Sequence, residues 1–126
     1  MIIKGKILTE QGMVSIEFLE VGMKIIDKNN RLVEVLSIKK DRSKINLVFG
    51  NGAVFSVDSI FNTIYGKDNF ENVSRNKTMF MKDINSVIHE YKFQVQKYET
   101  YGYSILLKNK CDVFVDDINI EIAGDK

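Results

Sequence analysis

Short runs in which apolar and polar residues alternate dominate this chain, and this period of two constrains its fold more than any other feature. Val33–Ile38 is one such run, and Ile45–Phe49 and Ala53–Val57 flank the turn Gly50–Gly52. Residues that alternate in this way line opposite faces of a β-strand. The chain has no proline, so glycine, asparagine and aspartate make its turns. We predict an all-β domain with about ten short strands and at most two short helices.

Two segments are candidates for those helices. Ser15–Leu19 and Met79–Asn85 each read as a short helical turn that leads into an apolar strand. Near the C-terminus, the turns Lys108–Lys110 and Asp116–Asp117 separate three further strands. The polar segment Phe70–Met79 is predicted to be an exposed loop.

Composition bounds the class of protein. A length of 126 residues suits a single domain, residues 1–126, with one core. The net charge of +1 provides no global field for nucleic acid or anionic lipid, and the single cysteine excludes an intrachain disulfide. The chain lacks an apolar run of membrane-spanning length and a signal peptide, which predicts a cytoplasmic protein without membrane attachment. Many Lys, Asn and Ile residues with few Ala indicate an AT-rich genome, such as that of a phage.

The N-terminal segment resembles a known family. Ile7–Val14 reads as strand, glycine turn and strand, and Ser15–Asp27 continues as a helical turn, a glycine and a strand. This order resembles the opening of the Hint family, the hedgehog and intein autoprocessing domains. The resemblance implies a pseudo-two-fold β fold that brings Met1 and Ala123 close together. If the gene belongs to a phage, the expected location is the host cell cytoplasm or the virion.

The resemblance also implies where the autoprocessing residues would lie. The family's nucleophile, a Cys or Ser nine residues before the position of Thr9, falls just before Met1. The positions of the other residues are occupied here by side chains that cannot replace them: Val57 for the Thr, Ser59 for the His of the second motif, Cys111 and Asp112 for a His-Asn pair, and Ile122 and Ala123 for the terminal His-Asn. These positions are therefore interpreted as vestigial, and the domain is predicted not to be an enzyme.

Other reactive residues have simpler interpretations. His89 is predicted to be a hydrogen-bonded structural residue, and Cys111 a half-buried side chain at the end of a turn, although the neighbouring Lys110 could favour its thiolate. Asp58 and Ser59 read as a turn-capping pair. The acidic residues near the C-terminus lack the spacing of a calcium loop and suggest a solvated edge instead: Asp112, Asp116, Asp117 and Glu121. No metal site and no cofactor are predicted.

Two surface features remain as binding candidates. The basic run, Lys39, Lys40, Arg42 and Lys44, is predicted to lie on a hairpin tip. Two tyrosines in the C-terminal half, Tyr98 and Tyr101, are predicted to be exposed. Tyrosine suits protein interfaces, whereas lysine and arginine suit phosphate. We therefore predict an inactive Hint-like domain that binds a protein partner. The alternatives are a nucleic-acid-binding accessory protein that uses the basic run, and a residual autoprocessing domain; a small-molecule substrate is not expected.

Overall fold

Fourteen strands and one single-turn 3-10 helix form the regular structure in residues 1–69 and 77–125, the part of the chain that this computed structural model describes. The helix spans Ile16–Phe18. The strands are β1 (Ile2–Lys4), β2 (Lys6–Thr9), β3 (Gly12–Ser15), β4 (Lys24–Ile26), β5 (Leu32–Ser43), β6 (Asn46–Phe49), β7 (Val54–Ser56), β8 (Phe61–Thr63), β9 (Gly66–Asp68), β10 (Thr78–Lys82), β11 (Ile88–Gln96), β12 (Thr100–Leu107), β13 (Cys111–Val115) and β14 (Ile118–Ile122). The all-β prediction is confirmed. No helix in the described part of the chain is long and apolar enough to cross a membrane.

Antiparallel pairing connects the strands into one curled sheet, in the order β10-β11-β6-β7-β1-β12-β5-β4-β2-β13-β14-β8-β9, with β3 attached to β2. Two long strands change partners along their length. The start of β5 pairs with β4 and its remainder with β12, while β11 pairs first with β10 and then with β6. The sheet curls until its two ends, β10 and β9, approach each other. The N–H of Ile64, in the turn between β8 and β9, donates to the carbonyl oxygen of Phe80 in β10 across 2.9 Å.

Four phenylalanines pack against one another at the centre of the core. Phe49 contacts the rings of Phe55, Phe61 and Phe93, with centroids 5.5–5.7 Å apart, and Phe55 meets Phe61 edge to face at 5.4 Å. These four residues lie on β6, β7, β8 and β11, so the cluster joins three consecutive strands to a fourth that is distant in sequence. All four side chains are buried.

The first helical prediction is confirmed and the second is wrong. Met79–Lys82 belongs to β10, in which Met79 and Met81 are buried while Phe80 and Lys82 are exposed. Burial at every second residue is the period of a strand and not of a helix. The predicted loop Phe70–Met79 lies largely outside the described residues, and its last two residues, Thr78 and Met79, belong to β10.

The basic run is not on a hairpin tip, because Lys39–Ser43 forms the last part of β5 and pairs with β12. The charged residues of this run were interpreted as a turn, but they form the exposed last part of a strand. By contrast, the turns at Gly50–Gly52 and Asp116–Asp117 do connect paired strands, and both aspartates have the positive φ that such a turn requires, 47° and 70°.

Candidate functional site

A cleft of about 440 Å³ lies where the first and last strands of the chain meet. Strand β1 reaches it between β7 and β12, and β14 reaches it beside β8. Met1 and Ala123 both line this cleft, as the fold prediction requires. The remaining lining residues are Ile2, Asp58, Ser59, Ile60, Tyr103, Ser104, Ile105, Lys110, Ile120, Glu121, Ile122 and Gly124.

The first residue is held tightly by the segment after β7. The Met1 amine donates to the Ser56 hydroxyl across 2.7 Å and lies 3.5 Å from the Asp58 carboxylate. The Met1 carbonyl oxygen accepts from the Ser56 backbone N–H at 2.9 Å and from the Ser59 hydroxyl at 3.4 Å. Ser56 and Ser59, three residues apart, therefore each place a hydroxyl 3.4 Å from the Met1 carbonyl oxygen.

Burial and neighbouring charge shift the pKa values of the Met1 amine and the Asp58 carboxyl in opposite directions. Burial lowers the pKa of the Met1 amine, and the nearby Asp58 carboxylate only partly opposes this effect. Partial burial would raise the pKa of Asp58, but hydrogen bonds from the Ser56 hydroxyl and the Met1 ammonium lower it overall. Asp58 is therefore ionised at neutral pH and is a weak base.

The opposite wall of the cleft is apolar and closely packed. Ile122 and Ala123 line it, and the backbone N–H of Leu107 donates to the carbonyl oxygen of Ala123 at 3.0 Å. Gly124 then passes so close to the backbone of Lys110 that a Cβ atom would collide with it. Close packing of backbone on backbone fixes the end of this wall against β12.

The structure brings some of the residues predicted from sequence into the cleft, but not all of them. Ser59, Ile122 and Ala123 line it. Val57 does not; its neighbour Ser56 faces the terminal amine instead. Because side chains alternate along a strand, an error of one residue in position exchanges the two faces. Ser56 was missed for this reason, and its spacing from Ser59 was the signal that could have identified it.

Cys111 also lies outside the residues that line the cleft. It starts β13 opposite Ile122 and is half-buried. Burial, together with the carboxylates of Asp27 and Asp112, raises the pKa of the Cys111 thiol to about 11. The suggestion that Lys110 favours the thiolate is therefore wrong: the ammonium of Lys110 lies 3.1 Å from Glu121, to which it is ion-paired.

The single histidine is engaged on the hairpin formed by β10 and β11. His89 Nε2 lies 2.7 Å from Asp83 Oδ2, and the His89 ring contacts Tyr91 with centroids 5.8 Å apart. Asp83 also accepts the backbone N–H groups of Asn85 and Val87 at 2.8 and 3.0 Å, and the bond from Val87 is the main cause of its lowered pKa. His89 is thus a hydrogen-bonded residue of β11, and it does not line the cleft.

Glu121, which lines the cleft, and its neighbour Asp112 form an ion-pair cluster with lysines. Asp112 and Glu121 face each other across β13 and β14, with side chains 15% and 10% exposed. Lys67 Nζ lies 2.9 Å from Asp112 and 3.1 Å from Glu121. Lys28 reaches Asp112 at 3.2 Å, and Lys110 reaches Glu121. These acids are paired and largely buried, so the prediction of a solvated edge is wrong for them. Among the described residues, no group of three metal-ligating side chains is found.

Replacing Lys67 with methionine is expected to destabilise the protein at neutral pH by about 1 kcal/mol, after allowance for solvent screening of this half-exposed lysine. Burial alone would raise the pKa of both carboxyls. Lys67 opposes burial at both, together with Asn62 and Lys28 at Asp112 and with Lys110 at Glu121, so both folded-state pKa values lie below the ordinary ones. Their contribution to stability is therefore present above the ordinary carboxyl pKa and is lost as the pH falls through the folded-state pKa.

Urea unfolding of wild type and Lys67→Met at a series of pH values measures this effect. The difference should be largest near neutral pH and should shrink in acid, once both carboxyls are protonated. Lys28→Met is the matched control, since within residues 1–69 and 77–125 Lys28 is ion-paired to Asp112 and not to Glu121, and its effect should be smaller. A difference that does not change with pH would contradict the role given to this cluster.

The residues predicted to bind a partner lie on and around one face of the sheet. The register places Arg42 opposite Tyr101 and Lys40 opposite Tyr103, so these four side chains share a face of β5 and β12. Lys39 points to the other face. Arg42 is 3.5 Å from Glu99, while Lys44 lies beyond the end of β5. Tyr98 and Tyr101 are 54% and 52% exposed, as predicted.

The sequence did not reveal an exposed apolar patch on the hairpin of β10 and β11. This hairpin patch comprises Phe80, Ile84, Val87 and Ile88, of which the last three are more than half exposed. Phe80 and Ile88 lie on the same outer face, because they pair with Glu90 and Lys82 across the two strands. The cluster of apolar residues around the Asp83–Val87 turn was the available signal, and it was obscured by the helical interpretation of this segment.

The fold and the meeting of Met1 and Ala123 in one cleft agree with the Hint resemblance. The sheet is curled and antiparallel, and it places Met1 beside Ala123, as that resemblance implies. The chain has the Hint fold.

Solved structures with this fold support the assignment. The gp41-1 intein has a TM-score of 0.74 and 21% identity, with 94% of each chain covered. An intein-like domain from Clostridium thermocellum has a TM-score of 0.73 and 16% identity, over 97% of this chain and 96% of that one. A DnaB intein from Synechocystis sp. PCC 6803 has a TM-score of 0.68 and 15% identity, over 97% and 98%. No protein-family model and no curated protein matches the chain. At these identities the likeness concerns the fold alone.

Proposed function

We propose that this chain is a Hint-type domain that does not cleave its flanking peptide bonds and that serves as a protein-binding module. The observation that carries the first part is the set of side chains in the cleft. Peptide cleavage needs an activated nucleophile, a proton donor for the leaving amine and a stabilised oxyanion. The lining supplies serine hydroxyls, but Ile122 and Ala123 occupy the wall where cleavage at the C-terminal end would require polar groups.

Imidazole, the side chain best suited to proton transfer at neutral pH, is missing from this lining. The one histidine of the sequence, His89, is bonded to Asp83 on another hairpin. The one cysteine, Cys111, is protonated at neutral pH because its pKa is raised to about 11. Ser59 is left with Asp58 as its neighbour, whose lowered pKa makes it a poor proton acceptor.

The second part of the proposal rests on the hairpin patch. Large apolar side chains that cluster on a surface mark sites of protein interaction. The outer face also carries three charged residues of both signs, Lys82, Glu90 and Lys92, beside Ile88 and Phe80. An apolar centre with a rim of mixed charge suits a protein surface.

A photoreactive phenylalanine analogue at Ile84 is expected to crosslink to a protein in cells of the organism that encodes this chain. The expected product is a protein adduct of defined mass that appears with the probe at Ile84. The same probe at Val21 is the matched control, since Val21 is also an exposed apolar residue, 62% against 57% for Ile84. A lack of adducts at Ile84, or equal adducts at both positions, would contradict binding through the hairpin patch.

A further inference from the structure

A second groove, separate from the cleft, combines aromatic rings with lysine side chains. Its volume is about 640 Å³, within the range of ligand-binding sites. Residues from β1, β2, the start of the 3-10 helix and β12 form its walls. Of the binding residues predicted from sequence, Lys40, Tyr98 and Tyr101 line it, whereas Lys39, Arg42 and Lys44 do not.

The rings on this groove are accessible and held in place. Tyr101 lies in β12, and Lys40 on the neighbouring strand places its ammonium 5.1 Å from the centre of the Tyr101 ring. Just before this strand, the carbonyl oxygen of Tyr98 accepts a hydrogen bond from the amide of Asn46, which is itself fully buried. Tyr103 contributes a third, less exposed ring to the same groove.

The charges around the groove are nearly balanced. Lys4, Lys6 and Lys40 line it, and none of them is ion-paired to another residue in the described part of the chain. Two carboxylates, Glu17 and Asp116, also line it. The Asp116 carboxylate is partly engaged, because it accepts the backbone N–H of Lys6 at 3.3 Å. The excess of positive charge is thus small, and the rings must contribute much of any binding.

We propose that this groove binds single-stranded nucleic acid, with bases stacked on Tyr98 and Tyr101 and phosphates near Lys4, Lys6 and Lys40. Base-to-aromatic stacking tolerates any sequence, and lysines beside the rings follow the backbone of the strand. A groove of this volume accommodates one or two nucleotides and excludes a duplex, whose bases are already stacked. The site goes beyond the protein-binding function, since it shares no residue with the hairpin patch.

Fluorescence anisotropy of a labelled oligothymidylate, about twelve nucleotides long, tests this site with the full chain. Lys40→Glu and Tyr101→Ala are each expected to weaken binding by about ten-fold or more. Lys39→Glu makes the same change of charge one residue away on the opposite face of β5, and should weaken binding by less than about three-fold. Glu17→Gln removes a carboxylate from the groove and should tighten binding, a gain that misfolding cannot produce.

Three results would overturn the proposal. The first is an oligonucleotide that does not bind wild type. The second is an equal loss of affinity in Lys39→Glu and Lys40→Glu, or an unchanged affinity in Tyr101→Ala. Circular dichroism must show that each of these variants is folded. The third is displacement of the labelled strand by duplex DNA or by polyglutamate as effectively as by unlabelled single strand, since either would show that charge alone, without stacking, accounts for binding.

Discussion

Phe55→Ala is expected to lower the free energy of unfolding by about 3–5 kcal/mol, the largest effect among the substitutions considered for this protein. Phe55 is fully buried, and its ring contacts Phe49 and Phe61 with centroids 5.7 and 5.4 Å away. Removal of the ring loses both contacts and leaves a cavity that the neighbouring strands can fill only partly. Urea unfolding followed by far-UV circular dichroism measures the loss, since the chain has no tryptophan.

Phe18→Ala is the matched control for Phe55→Ala. Phe18 ends the 3-10 helix with 67% of its side chain exposed. The same chemical change there should alter the free energy of unfolding by about 0.5 kcal/mol at most. If the two variants lost similar stability, or if Phe55→Ala lost less than about 1 kcal/mol, the phenylalanine cluster would not be the centre of the core.

Gly5→Ala is expected to lower the free energy of unfolding by about 2–4 kcal/mol, for two separable reasons. Gly5 has a φ of +149°, a conformation that side chains rarely adopt. An added Cβ would also lie 2.5 Å from Cγ1 of Val115, which is fully buried and has no room to move. Gly5 is held in this position because its carbonyl oxygen accepts the Ile16 N–H at 2.9 Å.

Gly12→Ala separates the two contributions. Gly12 also has a positive φ, +101°, but a Cβ there would meet no atom within 4 Å. The decrease in the free energy of unfolding of Gly12→Ala, measured by the same urea unfolding, should reflect backbone strain alone, about 1 kcal/mol. The additional loss in Gly5→Ala then measures the collision with Val115. Equal losses in the two variants would show that the chain relieves this collision at little cost.

Local sequence patterns predicted a strand or a turn correctly where the residues of one short segment determine its structure. The alternation of Val33 and Val35 with polar residues indicated β5, and Gly50–Gly52 indicated the hairpin of β6 and β7. The helical turn at Ile16–Phe18 was also predicted correctly. The error at Met79–Asn85 arose because four apolar residues in a short segment are compatible with either period, although only Met79 and Met81 are buried.

The candidate sites depend on strand pairing over long distances, and this is why the sequence predicted them only in part. Nothing local to Lys67 indicates that it contacts Asp112 and Glu121, because β9 is far along the chain from the hairpin of β13 and β14. Similarly, the basic run and the tyrosines were predicted as two features, whereas the register of β5 and β12 places Lys40 beside Tyr101. The position of Ser56 was missed by one residue, which is enough to choose the wrong face of a strand.

The most direct test of the central claim uses intact mass spectrometry on a fusion that carries one peptide before Met1 and another after Lys126. The cleft that joins Met1 to Ala123 lacks the imidazole that peptide cleavage uses for proton transfer, and Ile122 and Ala123 form its apolar wall. We predict that the purified fusion keeps its full mass after prolonged incubation, with or without added thiol. A product whose mass corresponds to cleavage at either junction would contradict the proposal that this domain, which has the Hint fold, does not process its flanking peptides.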